Sequence, residues 1–165
     1  MRRILLIVFA SVFSLALGAQ PALADSPHFL FANSSIDATS GALSVSFKEV
    51  GLGNTATTEN VTIHVVTATA TYQCFNNGGK HPKAGNKETV STSLTTTETF
   101  AVSNGQTTGT ISTGPPDAGG FSCPSGQTLF LIDVTYSGIS VVGSAGDSLG
   151  ATPDPISAGP FMIQS

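Results

Sequence analysis

The chain of 165 residues has no tryptophan, only two cysteines and only 10% charged side chains. Each shortage excludes something. Six Lys and Arg stand against ten Asp and Glu, a net charge of −4. The basic groups needed to displace counterions from a phosphate backbone are therefore missing, and nucleic acid is excluded as a partner. The same shortage rules out a polybasic membrane-surface segment. Cys74 and Cys123 form no Cys-x-x-Cys and have no histidine beside them, which removes the short-spaced zinc ligand sets and the dithiol redox motif. His28, His64 and His81 make no i, i+2 or i, i+4 pair, so no metal site is expected, and no cofactor fingerprint occurs. Serines are abundant, yet there is no Gly-x-Ser-x-Gly elbow; Cys123-Pro124-Ser125-Gly126 reads as a turn. No apolar stripe of 3.6-residue period runs far enough to predict a helix.

What is present begins with an export signal. Arg2 and Arg3 precede an apolar run over residues 4–19, Pro21 breaks it, and Ala22-Leu23-Ala24 has the small-x-small form that signal peptidase requires. The run is shorter than the roughly 20 residues a spanning helix needs. Residues 1–24 are read as a Sec signal peptide of bacterial type cleaved after Ala24, and the protein as secreted and extracellular, with no membrane segment in the mature form. Removing Arg2 and Arg3 leaves four basic against ten acidic side chains, a mature net charge of −6. Residues 25–146 make one domain's length, and residues 147–165, with Pro153, Pro155 and Pro160, are expected to be a loose tail.

Alternation of period two dominates the mature chain. Phe29 and Phe31 open a first strand. Leu43, Val45 and Phe47 alternate with Ser44, Ser46 and Lys48 in a second. Over residues 60–74 one apolar face, Val61, Ile63 and Val65, gives way to the opposite parity at Ala68, Ala70, Tyr72 and Cys74. Either a β-bulge near Val65-Val66 or a break into two bent strands accounts for the switch. Strands are predicted over 89–94, 98–102 and 107–112, with Asn104-Gly105 as a tight turn. Residues 128–136 are apolar on both faces and read as a central strand, with Ile139, Val141 and Val142 as a continuation. Short strands with frequent turns predict an all-β, antiparallel β-sandwich of immunoglobulin-like architecture, a small β-barrel being the alternative. Tyr72-Gln73-Cys74 resembles the Tyr-x-Cys of immunoglobulin domains, but there the cysteine is the second of its pair and a tryptophan lies between the two. Cys74 is the first and the chain has no tryptophan.

An even cysteine count in an exported chain predicts a Cys74–Cys123 disulfide. Within a sandwich that bond would pin two irregular segments, 75–88 and 114–127, to one end. The first holds Lys80, Lys83 and Lys87, three of the four mature basic residues, with His81 between them and Phe75, Asn76 and Asn77 at its start. Long loops on a rigid scaffold are where binding residues gather. These seven residues are the candidate contact set, for a cell-wall or extracellular polyanionic or glycan ligand; a merely solvated loop is the competing reading. No catalytic set is assigned. Asp133, the one acid inside an apolar strand, is the best candidate for a perturbed pKa, against an outward or loop-tethering role. His64 reads as an exposed strand residue. Glu49, Glu59, Glu88 and Glu98 read as solvated acids.

Ala70-Thr71-Tyr72-Gln73-Cys74, Asn76-Asn77-Gly78-Gly79-Lys80-His81-Pro82, Asn86-Lys87-Glu88 and Phe121-Ser122-Cys123-Pro124-Ser125-Gly126-Gln127 resemble a family of small secreted bacterial proteins, mostly of soil organisms, over most of residues 28–142. The resemblance implies export and a one-domain chain, and no established activity. The expected function is a disulfide-stapled secreted binding or surface-interaction module. The alternatives are a self-assembling envelope protein and, behind both, a small hydrolase.

Overall fold

Alternating strands with one apolar face must bury that face, and two such sheets bury it against each other. The computed structural model, which describes residues 26–76, 86–161 and 163–164, shows this arrangement. Among the described residues nine strands follow in order: β1 (His28–Ile36), β2 (Leu43–Val50), β3 (Thr58–Asn76), β4 (Lys87–Ala101), β5 (Gln106–Thr113), β6 (Gln127–Val142), β7 (Ser148–Gly150), β8 (Ile156–Ala158) and β9 (Ile163–Gln164). One sheet has the order β1-β2-β5; the other runs β4-β3-β6-β7, with β8 and β9 also paired to β6. All strand pairings are antiparallel. The chain is an all-β sandwich. Among the described residues no helix is long and apolar enough to cross a membrane. The segment read as a signal peptide lies outside the described residues.

The core is the sum of the inward parities. Leu43, Val45 and Phe47 of β2 and Ile111 of β5 face Val61, Ile63 and Val65 of β3 and Val134, Tyr136, Ile139 and Val141 of β6, all essentially inaccessible to solvent. Phe47 sits between the edges of Phe29 and Phe100, with ring centroids 5.8 and 5.0 Å away. Fully burying each such side chain contributes roughly 1.5–3 kcal/mol. The parity switch of β3 is a bulge: its register against β4 shifts between Val65 and Ala68, leaving Val66 70% exposed. β3 is thus one bent strand, not two. β6 shifts its register against β3 once, beside Asp133. It shifts its inward parity again at Gly138, in step with β3 and with their mutual register unbroken. The positive φ of 65° and lack of Cβ at Gly138 let Val66 pack against it. These shifts turn Leu131, Val134, Tyr136 and Ile139 inward in succession, so a strand that reads as apolar on both faces is partly one apolar face interrupted by extra residues.

Two expectations need correction. Residues 89–94 and 98–101 are parts of one strand, β4, because Thr95, Thr96 and Thr97 between them are β-branched and pair with β3. Hydroxyl contacts from Thr62 to Thr97 (2.8 Å) and from Thr69 to Ser91 (3.1 Å) cross that ladder. The described part of the segment 147–165, residues 147–161 and 163–164, is not a loose tail. It runs back along β6 as three short strands, with Ala151 and Phe161 buried. Proline removes a donor but not the extended geometry or the carbonyl, so the residues between prolines still pair. At Gly138 the Asp154 carboxylate stands in for a ladder carbonyl, accepting from the Gly138 and Ile139 N–H groups at 3.0 Å each. The tail also closes one edge of the sandwich: the Ser34 N–H donates to Thr152 O and the Thr152 N–H to Ala32 O (3.0 and 2.9 Å).

Candidate functional site

The cysteines are bonded, with Cα atoms 5.6 Å apart. Cys74 is inaccessible near the end of β3, and Cys123 lies in the connection from β5 to β6. A second tether holds the same connection: the buried Tyr72 hydroxyl donates to Pro116 O at 2.6 Å. Across β3 the Cys74 N–H donates to Asn86 O (3.0 Å). Side-chain amides then link the three strand ends. Asn86 Nδ2 donates to Gln127 Oε1 (2.8 Å), and Gln127 Nε2 donates to Asn76 Oδ1 (2.9 Å). Beside this chain, on the outer face of the larger sheet, Phe75 and Phe130 meet edge-to-face at 5.6 Å, both half-exposed. Lys87 is exposed at the first position of β4 and pairs with Gln73.

The structure therefore brings Phe75, Asn76 and Lys87 together at the disulfide pole. Asn77, Lys80, His81 and Lys83 lie outside the described residues. The sequence reading missed Asn86, Gln127 and Phe130. No local pattern marks them, because their role arises only where strand ends distant in sequence meet. The arrangement offers apolar ring edges flanked by amides that donate and accept, with a cationic side chain at the margin. That suits a polar ligand carrying apolar faces.

The enzymatic candidates do not converge. Asp133 lines a shallow hollow with Val134, Thr135, Ser157, Ala158 and Gly159, and no histidine or second acid lines it. Asp133 pairs with Thr71, whereas His64 pairs with Ser140, roughly 20 Å away at the strand rise. His64 and His28 are both exposed.

At the opposite pole the structure corrects the reading of two acids. Glu49 is wholly inaccessible and Glu59 only 5% exposed. The signal was there: Glu49 continues the inward parity of Leu43, Val45 and Phe47, and Glu59 that of Val61, Ile63 and Val65. Residue type argued for solvent, and position won. Glu59 is satisfied, its two oxygens accepting from the Ser144 N–H (2.6 Å) and hydroxyl (2.9 Å). Glu49 and Asp147 are not; all four of their carboxylate oxygens are buried without a hydrogen-bond partner. Both lean over Gly143, where a Cβ would lie 2.6 Å from Asp147 Oδ1 and 2.8 Å from Glu49 Oε1. Burial, then the neighbouring Asp147 and Glu59 charges, raise Glu49 to about 7. Asp147 is raised chiefly by burial. Its own N–H, outside hydrogen-bond geometry, and His28 pull the other way. Among the described residues no three His, Cys, Asp or Glu side chains are placed to hold a metal ion by themselves.

No protein-family model matches the chain, and neither the curated proteins nor the solved structures compared with it give a match.

Proposed function

We propose that the protein is an exported binding module that engages an anionic glycan of the cell wall or extracellular matrix at its disulfide pole. The observation that carries this reading is the amide chain Asn86–Gln127–Asn76 beside the Phe75–Phe130 pair. It fixes polar and aromatic groups on three strand ends where a covalent bond and the Tyr72 tether already remove freedom. Preorganised groups of this kind lose little entropy on binding. The lysines of the 75–88 segment supply the complementary charge in an otherwise acidic chain. Replacing Lys80, Lys83 and Lys87 together by alanine should abolish retention on anionic cell-wall polysaccharide and leave the melting temperature nearly unchanged. Retention that survives the triple substitution overturns the proposal.

A second reading has its own observation. β4 is an edge strand of 15 residues, paired as a strand only with β3 among the described residues, without proline and mostly exposed on both faces. Such an edge is a template for pairing with another strand, and a second copy of the chain would complete it. On this reading light scattering shows a mass that rises with concentration, and Thr92→Lys with Thr95→Lys returns it to that of a monomer. A single monomeric mass at every concentration excludes it.

A further inference from the structure

We propose that Glu49 and Asp147 form a low-affinity site for a hard divalent cation of the calcium class, at the pole opposite the disulfide. The site is independent of the glycan reading: Glu59 and Cys74 lie at opposite ends of β3, on the order of 40–50 Å apart along the strand.

Glu49 carries the argument. Its side chain is wholly inaccessible and neither of its oxygens has a partner. A buried carboxylate left in that state is among the costliest arrangements a fold can hold. The second carboxylate, Asp147, comes from the turn between β6 and β7. It approaches the same point over Gly143, again with both oxygens unpartnered. The absence of a Cβ at Gly143 leaves the space that both occupy. The groups facing the pair complete the picture. Glu59 of β3 adds a further negative charge, and among the described residues His28 of β1 is the one basic group that acts on Asp147. Lys48 precedes Glu49 on β2 and projects to the other face. Negative charge at this pole is therefore not balanced among the described residues.

The donor set fixes the kind of ion. Every donor is oxygen, which excludes the soft metals that thiolate or imidazole select. Two free carboxylates without a third side-chain ligand suit an ion that completes its shell with neutral oxygens and water in a flexible geometry, as calcium does. Few ligand charges also mean weak binding, with a dissociation constant on the order of 10⁻⁴ to 10⁻³ M. Glu59 has a different part. Through Ser144 it anchors the turn that carries Asp147, and so positions the second ligand. A proton shared between Glu49 and Asp147 is the rival means of relieving the same charge, and the two make opposite forecasts for added cation.

The test uses the full chain, stripped with chelator at about pH 7.5, where an unperturbed carboxyl is ionised. Calcium chloride is titrated to about 10 mM, well above the expected dissociation constant, with melting temperature and titration calorimetry as readouts. Sodium chloride at matched ionic strength controls for screening. The proposal expects a saturable rise of a few degrees with calcium only. The response should fall at least tenfold in Asp147→Asn, whose turn position favours folding, and in Glu49→Gln. A wild-type melting temperature indifferent to calcium overturns the proposal in favour of the shared proton. So does an equal rise with sodium chloride, or a calcium response that persists in Asp147→Asn.

Discussion

Removing the disulfide tests the strongest physical claim about this fold. The perturbation is Cys74→Ala with Cys123→Ala, alanine being preferred because a serine hydroxyl at the inaccessible position 74 would be buried. The bond closes a loop of sequence separation 49, and in the chain-entropy account its loss frees the unfolded state by about 4 kcal/mol. The native ladder does not depend on it. β3 and β6 still pair from Thr62 against Val142 to Asn76 against Gln127, and Tyr72 still holds Pro116. The variant should therefore fold to the same sheets. Its urea-unfolding free energy should fall by about 4 kcal/mol, which for a domain of this size is a drop in melting temperature on the order of 12 °C. Tyr72→Phe removes the second tether on the same connection, so the two changes should couple by roughly 0.5–1 kcal/mol in a double-mutant cycle. Backbone amides of the β5–β6 connection should exchange faster than those of the β3–β6 ladder. A loss below about 1 kcal/mol would refute the entropic argument. A variant without strand circular dichroism near pH 5 would refute the expectation that the ladder forms without the bond.

Other consequences follow from single contacts. Gly109 lies under the Phe100 ring, where a Cβ would come within 2.2 Å of a ring carbon; Gly109→Ala should cost about 1–3 kcal/mol by overpacking, read from chemical denaturation. Gly105, at φ 68°, turns the chain from β4 to β5, and an added Cβ would also approach Gly53 O at 3.1 Å. Gly105→Ala should destabilise by about 1 kcal/mol or more, and an unchanged midpoint would count against that turn. In chelator the melting temperature should fall between about pH 5 and pH 8. Glu49 is raised to about 7 and Asp147 is raised too. A raised carboxyl contributes stability that is complete below its unfolded value and is lost as pH climbs through its folded one. Asp37, held below its ordinary value by Thr39 and Ser40, titrates under this window. Glu49→Gln should flatten the slope, and a wild-type profile already flat would show that the buried pair does not titrate there.

The strands were legible wherever side chains alternate without interruption, and in β3 the change of parity between Val65 and Ala68 was legible, although parity alone does not separate a bulge from two bent strands. Three features were not, for different reasons. The tail was misjudged because proline marks where a ladder breaks without saying whether the intervening residues pair. Glu49 and Glu59 were misjudged because composition outweighed position, although their parity placed them inside. The amide chain at the disulfide pole could not be foreseen, since Asn76, Asn86 and Gln127 share no local pattern and meet only after β3, β4 and β6 assemble. Local periodicity reports which face a residue occupies; it does not report which neighbours the topology delivers.

The two poles are coupled through stability rather than through contact. A chain with 10% charged residues that nonetheless buries Glu49 and Asp147 without partners must offset their ionisation elsewhere. A shift of Glu49 from 4.5 to about 7 corresponds to at most roughly 3–4 kcal/mol at alkaline pH, and less once solvent screening is allowed for. The disulfide supplies about 4 kcal/mol, a comparable amount with the opposite sign. Removing it should therefore expose the pH sensitivity that the intact protein tolerates. The double-alanine variant in chelator should stay folded near pH 5, below the value of about 7 to which Glu49 is raised, and become marginal near pH 8, above it. Adding Glu49→Gln to that variant should restore folding at the higher pH. Strand circular dichroism at the two pH values decides the matter: equal signals in the variant with and without Glu49→Gln would show that the buried charge and the covalent tether do not offset one another.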